Sequence, residues 1–366
     1  MCGDGDDENE NSTTRQEVKV DHVEEYVGHR LVDLPEEILR LIATCLLPIA
    51  YDCMRFRLVC RTFRRSAPPL RLSTQYPLLM FGNRRHVRCS ISDPIKNITY
   101  CFDLPKLLGA KIRFSKDGWL LMSKDDTSLF FFNPYTQVTV ELPDLISPKI
   151  VFEVLCFSSP PTSPDCTIFG ICQSTFHYVM ILCLRLGEDA WTPVHADHDD
   201  FFYPSSNCPV FHEGSFYCLG IKGELGVFDA WDLSWKVIPM PMPRPCSSIY
   251  QIYLVEWDGE LTSVFVGRSG KYVDAYLLDR SKMKWLTLSN LKDQTLFLSP
   301  SSSISVKMIS EGIRSRIYFP ISYDNSLLFY SLETRKWHSA FGSHCREDTY
   351  NTRERLHCTW FQPSYQ

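Results

Sequence analysis

One copy of a repeated unit in this chain reads Leu129-Phe130-Phe131-Phe132-Asn133-Pro134-Tyr135-Thr136-Gln137-Val138. It is an apolar run followed by a polar turn, and the same order returns four more times with a tryptophan after the turn. These tryptophans stand 44, 50 and 52 residues apart. An apolar or aromatic residue lies seven positions before each of them, in the pairs Leu184 and Trp191, Phe228 and Trp235, Leu278 and Trp285, and Tyr330 and Trp337. Short apolar runs bounded by turn residues are typical of β-strands joined by hairpins.

A degenerate strand repeat of about 45–50 residues predicts a β-propeller, in which each four-stranded blade buries its faces against its neighbours. Each tryptophan is expected to fill the wedge between two blades. Six blades are predicted by units at about 76–107, 108–148, 149–193, 207–241, 250–290 and 303–340. The final apolar segment, His357–Phe361, is expected to pair with the first blade and close the ring. The alternative architecture is a two-sheet sandwich with additional strands.

The composition is that of a folded protein without a strong preference for polyanions. Of its 366 residues, 44% are hydrophobic and 13% aromatic, which is enough to build a core. The net charge of −5 argues against wholesale binding to nucleic acid or to an acidic membrane surface. The sequence has no run of about 18 apolar residues, and its acidic start, Met1–Glu8, is unlike a signal peptide. We therefore expect a cytoplasmic or nuclear protein.

The 15 cysteines predict neither a metal site nor a redox pair. The two that lie closest in sequence, Cys166 and Cys172, are six residues apart, so the chain has no Cys-x-x-Cys motif. Many cysteines lie inside apolar runs, as Cys183 does. We expect these thiols to be reduced and to be buried as small hydrophobic side chains.

The segment before residue 76 has a different pattern. Residues 1–28 are polar and acidic and are expected to form a disordered tail. Residues 29–70 are expected to form a small helical module, whose first helix begins near Pro35. A second helix is predicted over Tyr51–Arg65. The apolar residues of the first helix recur at the spacing of one helical face, and they are Leu34, Ile38, Leu41, Ile42 and Leu46.

This module resembles an F-box. The resemblance rests on Leu34-Pro35-Glu36-Glu37-Ile38-Leu39, on Leu47-Pro48 and on Phe56-Arg57-Leu58-Val59-Cys60-Arg61-Thr62-Phe63. Phe63 stands where the F-box pattern usually has tryptophan. The remainder, residues 76–366, is similar to the kelch-like propeller of unknown function that follows F-boxes in many plant proteins. The residues that carry this similarity are Gly118-Trp119-Leu120-Leu121, Phe132-Asn133-Pro134 and Trp360-Phe361-Gln362-Pro363.

The resemblance implies a non-catalytic substrate-receptor subunit of an SCF-type cullin–RING ubiquitin ligase. The F-box would dock on a Skp-type adaptor, and through it on the cullin and RING subunits, while the propeller binds an unknown target protein. The residues implied in adaptor docking are Leu34, Pro35, Ile38, Leu39, Ile42, Leu46, Phe56, Val59, Cys60 and Phe63. The alternative is a kelch-like interaction scaffold that works without a ligase, and a further one is a propeller enzyme with a helical cap.

Physical reasoning alone does not decide which surface covers the apolar face of the first helix. So many apolar side chains are more than a pair of short helices can hide, and they need a second surface. That surface is either a groove on an adaptor or the propeller, on which the module would then pack as a cap. An arginine cluster in the same segment faces an acidic adaptor surface, a nucleic acid or solvent, and it comprises Arg55, Arg57, Arg61, Arg64, Arg65 and Arg71.

No segment predicts catalysis, a cofactor or a resident metal. The stretch His195-Ala196-Asp197-His198-Asp199-Asp200 has side chains of metal-ligand type, but its place after Trp191 favours a solvated loop between blades. Gly267-Arg268-Ser269-Gly270-Lys271 lacks the spacing of a phosphate-binding loop and is better explained as a hairpin turn. The aromatic residues Phe201, Phe202 and Tyr203 are expected to be exposed and to form part of the target-binding face, because aromatic side chains dominate interface energies.

Overall fold

Six small β-sheets and two short α-helices are the main regular elements of the described part of the chain. The computed structural model describes residues 33–46, 56–57, 59–67, 76–82, 87–125, 127–174, 178–197, 202–205, 207–308, 313–323, 326–339 and 358–362. The helices are α1 (Glu36–Leu46) and α2 (Arg61–Ser66). No helix among these residues is long and apolar enough to cross a membrane. The expected tail, residues 1–28, lies outside the described residues.

The first three sheets follow one another along the chain, and each becomes one blade. Blade 1 contains β1 (Leu78–Gly82), β2 (Arg88–Asp93) and β3 (Ile98–Asp103). Blade 2 contains β4 (Lys111–Lys116), β5 (Trp119–Lys124), β6 (Ser128–Phe132) and β7 (Thr139–Glu141). Blade 3 contains β8 (Val154–Phe157), β9 (Thr167–Ser174), β10 (Tyr178–Arg185) and β11 (Thr192–Asp197).

The second half of the chain supplies three more blades and a closing strand. Blade 4 contains β12 (Val210–His212), β13 (Ser215–Leu219), β14 (Leu225–Asp229) and β15 (Trp235–Ile238). Blade 5 contains β16 (Ile249–Trp257), β17 (Glu260–Gly267), β18 (Val273–Asp279) and β19 (Lys284–Leu288). Blade 6 contains β20 (Gln294–Ser299), β21 (Ser302–Lys307), β22 (Arg316–Tyr323), β23 (Ser326–Ser331) and β24 (Lys336–Ser339). The last strand is β25 (Cys358–Phe361).

The ring is closed by this last strand. β25 pairs with β1 in antiparallel register, with Trp360 opposite Leu79, so the end of the chain completes blade 1. The pairing predicted for the final apolar segment is therefore confirmed. Clusters of buried side chains join every pair of consecutive blades, including blade 6 to blade 1. This continuous circuit of cores shows a six-bladed propeller and not a two-sheet sandwich.

Strand register explains the seven-residue spacing of the repeat. Phe228 lies directly opposite Trp235 across the last hairpin of blade 4, and Tyr330 lies opposite Trp337 in blade 6. Ser331 and Lys336 close the hairpin of blade 6 with four residues between them, so residues seven apart form the next pair of the ladder, where side chains pack across strands. Trp337 also donates from Nε1 to the Gly270 carbonyl of blade 5 at 2.8 Å. The tryptophan thus binds its own blade to the preceding one, as the wedge interpretation predicts.

Three of the hairpins that carry this spacing, in blades 2, 4 and 5, share one turn geometry. A carboxylate or amide oxygen at the end of the third strand accepts hydrogen bonds from the backbone N–H groups two and three residues later, at Asn133, Asp229 and Asp279. The residue four positions later has a positive φ: 58° at Gln137, 58° at Leu233 and 46° at Met283. A side-chain oxygen that bonds its own backbone in this way fixes a tight turn. The polar position of the repeat is therefore a turn-forming position.

Two of the predicted blade boundaries are wrong. Blade 3 extends to Asp197 because β11 continues past the predicted end at residue 193. Blade 6 begins at Gln294, before the predicted start at residue 303, because β20 and β21 form a hairpin across the turn at residues 300–301. A run of serines in this hairpin had the composition of a loop. β20 also runs parallel to β22, which gives blade 6 a fifth strand.

Candidate functional site

The helical module begins as the sequence predicts. The backbone N–H groups of Ile38 and Leu39 donate to the Pro35 carbonyl at 3.0 and 3.1 Å, so Pro35 directly precedes the first turn of α1. Glu36 and Glu37 lie in that turn, where the positive end of the helix dipole favours carboxylates. Glu36 also accepts a hydrogen bond from Arg40 at 2.9 Å, one turn along the helix.

The second predicted helix is interrupted. Phe56, Arg57 and Val59 have helical conformation, but Cys60 has φ −163° and ψ 177°, and α2 starts after it. The break brings the ring centroids of Phe56 and Phe63 to 4.6 Å from each other. In an unbroken helix, residues seven apart are separated by about 10.5 Å along the axis. The expectation of one continuous helix over Tyr51–Arg65 is therefore wrong, because packing of this aromatic pair needs a turn of the chain at Cys60.

The residues implied in adaptor docking fall into two groups in the structure. Leu39, Phe56 and Phe63 are buried and form the core of the module. Ile38 and Val59 are exposed, at 42% and 55%. The others are the exposed Pro35, the half-buried Leu34, Ile42 and Cys60, and Leu46, which ends α1.

Leu41 is a third exposed apolar side chain of the module. Leu41, one turn after Ile38 on α1, is 62% exposed. We call Ile38, Leu41 and Val59 the module face. Exposed aliphatic side chains that the module's own core leaves out are what a docking surface needs.

The same module is also fastened to the propeller. Its buried residues and those of blades 1 and 2 form one continuous cluster, which includes Leu39, Phe63, Met80 and Phe132. The alternative in which the module packs on the propeller as a cap is thus correct for the buried residues of the module. The module has one side packed toward the ring and another side open.

Two half-buried arginines of the predicted cluster contact the propeller. The Arg57 guanidinium lies 4.8 Å from the centroid of the Tyr135 ring, and Arg64 Nη2 donates to Gln137 Oε1 at 2.8 Å. Both partners belong to the turn between β6 and β7 of blade 2. Arg61 and Arg65 are exposed. The sequence analysis considered an adaptor surface, a nucleic acid or solvent for these arginines, and none of the three is an intramolecular contact. Residues 73 positions apart in the sequence give no local signal of such a contact.

A pocket of about 340 Å³, which we call the central pocket, lies where the first strands of several blades meet. It is lined by the end of β4 and the turn after it, by β12, by the end of β16 and its turn, and by β21. Among the side chains that line it are Ser115, Lys116, Asp117, Phe211, Glu256 and Asp258. Sequence reasoning missed this pocket because its residues lie between positions 114 and 362 and share no motif.

His212, next to the pocket, and Cys208, which lines it, are both buried. His212 is buried on β12, and its Nδ1 lies 3.6 Å from the Glu256 carboxylate. Burial raises the pKa of the Cys208 thiol to about 11, against the opposing effect of a hydrogen bond with Ser303. At neutral pH Cys208 is therefore a thiol and not a nucleophilic thiolate.

The aromatic loop expected at the target-binding face has a different environment. Phe202 is fully buried, and its ring centroid lies 5.1 Å from that of Trp235. Its expected exposure is wrong because the ring completes the core beside blade 4. Tyr203 is half-buried, and Phe201 lies outside the described residues.

The histidine-rich stretch begins on a strand and not in a loop. His195 is exposed on β11, opposite Met180 of β10. Residues 198–200 lie outside the described residues. Among the described residues, no group of three or more His, Cys, Asp or Glu side chains is arranged to hold a metal ion.

Comparison with known proteins places the propeller in a family. The KIB1-4 beta-propeller family matches residues 89–342, which is more than half of the chain. The chain belongs to this family. The match runs from the second strand of blade 1 past the last strand of blade 6.

Curated relatives extend the likeness into the helical module. F-box/kelch-repeat protein At1g57790 from Arabidopsis thaliana is 31% identical over 316 residues, covering 84% of this chain and 88% of the relative. F-box/kelch-repeat protein At3g18720 from the same plant is 28% identical, covering 71% and 72%. The propeller from Leu78 onward makes up less than 84% of the chain. The alignment with the first relative therefore extends into the helical module. The resemblance to F-box proteins with a kelch-like propeller is confirmed.

Solved structures show only a remote likeness. Kluyveromyces lactis Hsv2 is 16% identical, with a TM-score of 0.32 over 71% of this chain and 79% of that chain. An oligogalacturonate lyase in complex with manganese is 10% identical, with a TM-score of 0.37 over 74% and 78%. Likeness this low supports no argument about function.

Proposed function

We propose that this chain is the substrate-receptor subunit of an SCF-type cullin–RING ubiquitin ligase. The module face docks on a Skp-type adaptor, and through it on the cullin and RING subunits, while the propeller holds the target protein. The protein itself performs no chemistry, and its contribution is to keep a target close to the ubiquitin-charged enzyme. We place this assembly in the cytoplasm or the nucleus.

The observation that carries this proposal is the division of the module's apolar residues. Leu39, Phe56 and Phe63 are buried in the core that the module shares with blades 1 and 2, yet Ile38, Leu41 and Val59 remain open to solvent. Full burial of one aliphatic side chain contributes roughly 1.5–3 kcal/mol, and these three are already partly covered, so docking gains somewhat less from each. The names of the curated relatives support the same role.

The attachment of the module to blade 2 supports the receptor role further. The contacts of Arg57 and Arg64 with the β6–β7 turn hold the module at a fixed position relative to the propeller. A target held by the propeller then lies at a defined distance from the adaptor. Proximity accelerates a transfer reaction only when the two groups are held in a productive arrangement.

The environment of the cysteines supports the proposed compartment. The structure describes the side chains of ten cysteines; all ten are free, and eight of them are buried. Burial raises the pKa of the Cys156 and Cys218 thiols well above the usual range, which makes them unreactive. Unpaired cysteines in such number are typical of proteins of a reducing compartment.

Co-purification of the full chain with a Skp-type adaptor tests the proposal. We expect the adaptor to elute with the chain at one-to-one stoichiometry, and a cullin–RING pair to join this complex only when the adaptor is present. A folded chain that binds no adaptor would favour the ligase-independent scaffold. The readout is size-exclusion chromatography with light scattering.

A further inference from the structure

The central pocket carries more negative than positive charge. Three carboxylates line it, those of Asp117, Glu256 and Asp258, and its one basic lining residue is Lys116. The positions are set by the turns after β4 and β16, since Asp117 and Asp258 follow these strands directly. The charge imbalance therefore belongs to the blade architecture at this end of the ring.

Lys116, the basic residue that lines the pocket, already makes contacts within the protein. Lys116 Nζ donates to the Ser158 carbonyl at 2.6 Å, and it lies 5.8 Å from the centroid of the Phe211 ring. Asp117, in contrast, has no basic nitrogen of the described residues within 4 Å of its carboxylate. Asp258 has Lys292 at 3.4 Å, an exposed pair whose attraction is weak in water. An anionic ligand would meet repulsion here and a cationic one attraction.

A buried hydroxyl group gives a second and independent indication of a ligand. Ser115 lines the pocket and is 2% exposed, yet its Oγ has no hydrogen-bond partner among the described residues. Buried polar groups are nearly always hydrogen-bonded, so a group left open beside a cavity needs a partner from outside. A hydroxyl oxygen is an acceptor for an N–H donor of a ligand.

The volume and the apolar wall define the kind of ligand. A pocket of about 340 Å³ is at the lower end of the range for ligand sites, so it admits one side chain with its adjoining backbone and excludes a folded domain. The Phe211 ring forms part of the wall. Aromatic faces attract cations, and guanidinium groups stack on them.

We propose that the central pocket binds an arginine side chain presented by an extended segment of a partner protein. The guanidinium group offers five N–H donors in a planar fork, which suits the combination of several carboxylates and one hydroxyl acceptor. The proposal rests on the proposed receptor function only for the identity of the partner, which is then the ubiquitination target. Recognition of an arginine is a property of the pocket alone.

Methyl NMR of the full chain with N-acetyl-arginine amide tests the site. The methyl groups of Ile304 and Val210 line the pocket, whereas those of Ile146 and Val151 are exposed between blades 2 and 3. Titration to about 50 mM detects even dissociation constants near 10 mM. We expect shifts at Ile304 and Val210 only. N-acetyl-citrulline amide, which has the same shape without the charge, is expected to bind at least about tenfold more weakly.

Charge-removing variants separate the pocket from the rest of the surface. Glu256→Gln combined with Asp258→Asn is expected to weaken arginine binding about tenfold. The φ of Asp258 is 55°, a conformation that asparagine tolerates. The control is Asp189→Asn, which removes one exposed charge from blade 3 and is expected to change nothing.

Three outcomes of these experiments would contradict the arginine site. The proposal is overturned by absence of shifts at Ile304 and Val210, by equal binding of the citrulline compound, or by tighter binding of N-acetyl-glutamate amide. Adaptor binding is measured on the same variants and is expected to stay unchanged. If the unaltered chain binds the adaptor but not the arginine compound, this site alone is contradicted. If the unaltered chain binds the arginine compound but not the adaptor, the receptor function alone is contradicted.

Discussion

Replacing Ile38 and Leu41 together by Asp is expected to reduce the affinity of the chain for a Skp-type adaptor by at least about 100-fold. The two residues lie one turn apart on α1 and are 42% and 62% exposed. In the complex each carboxylate would be buried against apolar surface without a partner, which costs several kcal/mol. In the free chain the same carboxylates face water, so the fold is expected to tolerate them.

Isothermal titration calorimetry of the full chain measures this effect, and thermal unfolding of both variants confirms that they are folded. The matched control is Ile146→Asp, which changes an aliphatic side chain of 70% exposure between blades 2 and 3. Its adaptor affinity is expected to equal that of the unaltered chain. If the double variant binds within threefold of the control, the module face is not the docking surface.

Replacing Trp360 by Ala is expected to lower the free energy of unfolding by about 3–5 kcal/mol. Trp360 is fully buried on β25, and its ring centroid lies 5.0 Å from that of Phe297 in blade 6. Its Nε1 donates to the Leu298 carbonyl at 3.0 Å, and its backbone N–H donates to Ser302 Oγ at 2.9 Å. One side chain thus joins the closing strand of blade 1 to blade 6, and its loss leaves a large cavity at the closure of the ring.

Urea unfolding followed by tryptophan fluorescence and circular dichroism measures this loss. Trp231→Ala is the control, because that side chain is 87% exposed in the turn between β14 and β15. The control is expected to change the free energy of unfolding by less than about 0.5 kcal/mol. Similar losses for the two variants would mean that the ring is not closed through Trp360.

The blades could be predicted because their spacing reflects strand register. Phe228 and Trp235 are seven residues apart since they face each other across a hairpin. The same relation holds for Phe132 and Thr139, for Leu278 and Trp285, and for Tyr330 and Trp337. The start of blade 6 was missed for the opposite reason. Its first hairpin turns at residues 300–301 within a run of serines, and composition does not show whether such a run is a strand or a loop.

The helical module shows a second limit of sequence reasoning. Ile38 and Leu39 are neighbours and both apolar, yet one is 42% exposed and the other fully buried. Helical periodicity identifies an apolar face but does not divide it between an inner core and an outer partner. That division depends on where α2 and the propeller lie, and these are tertiary contacts.

The pocket and the contacts of the module's arginines could not be predicted from a local sequence pattern, because they join residues that are far apart in the chain. Asp117 and Asp258 reach the same cavity only because the ring brings the ends of β4 and β16 together. Arg64 meets Gln137 by the packing of the module on blade 2. Phe202 was expected at the surface because an aromatic residue in a loop has two destinations, an interface or a core, and sequence alone does not distinguish them.

The most direct test of the central claim is hydrogen–deuterium exchange of the full chain with and without a Skp-type adaptor. Side chains of the module face become buried on docking, which suppresses local opening of the helices that carry them. We expect added protection in peptides that cover residues 33–46 and 56–67, and none in blades 3 to 5. Protection confined to the propeller, or no protection at saturating adaptor, would contradict the claim that this chain docks through its helical module.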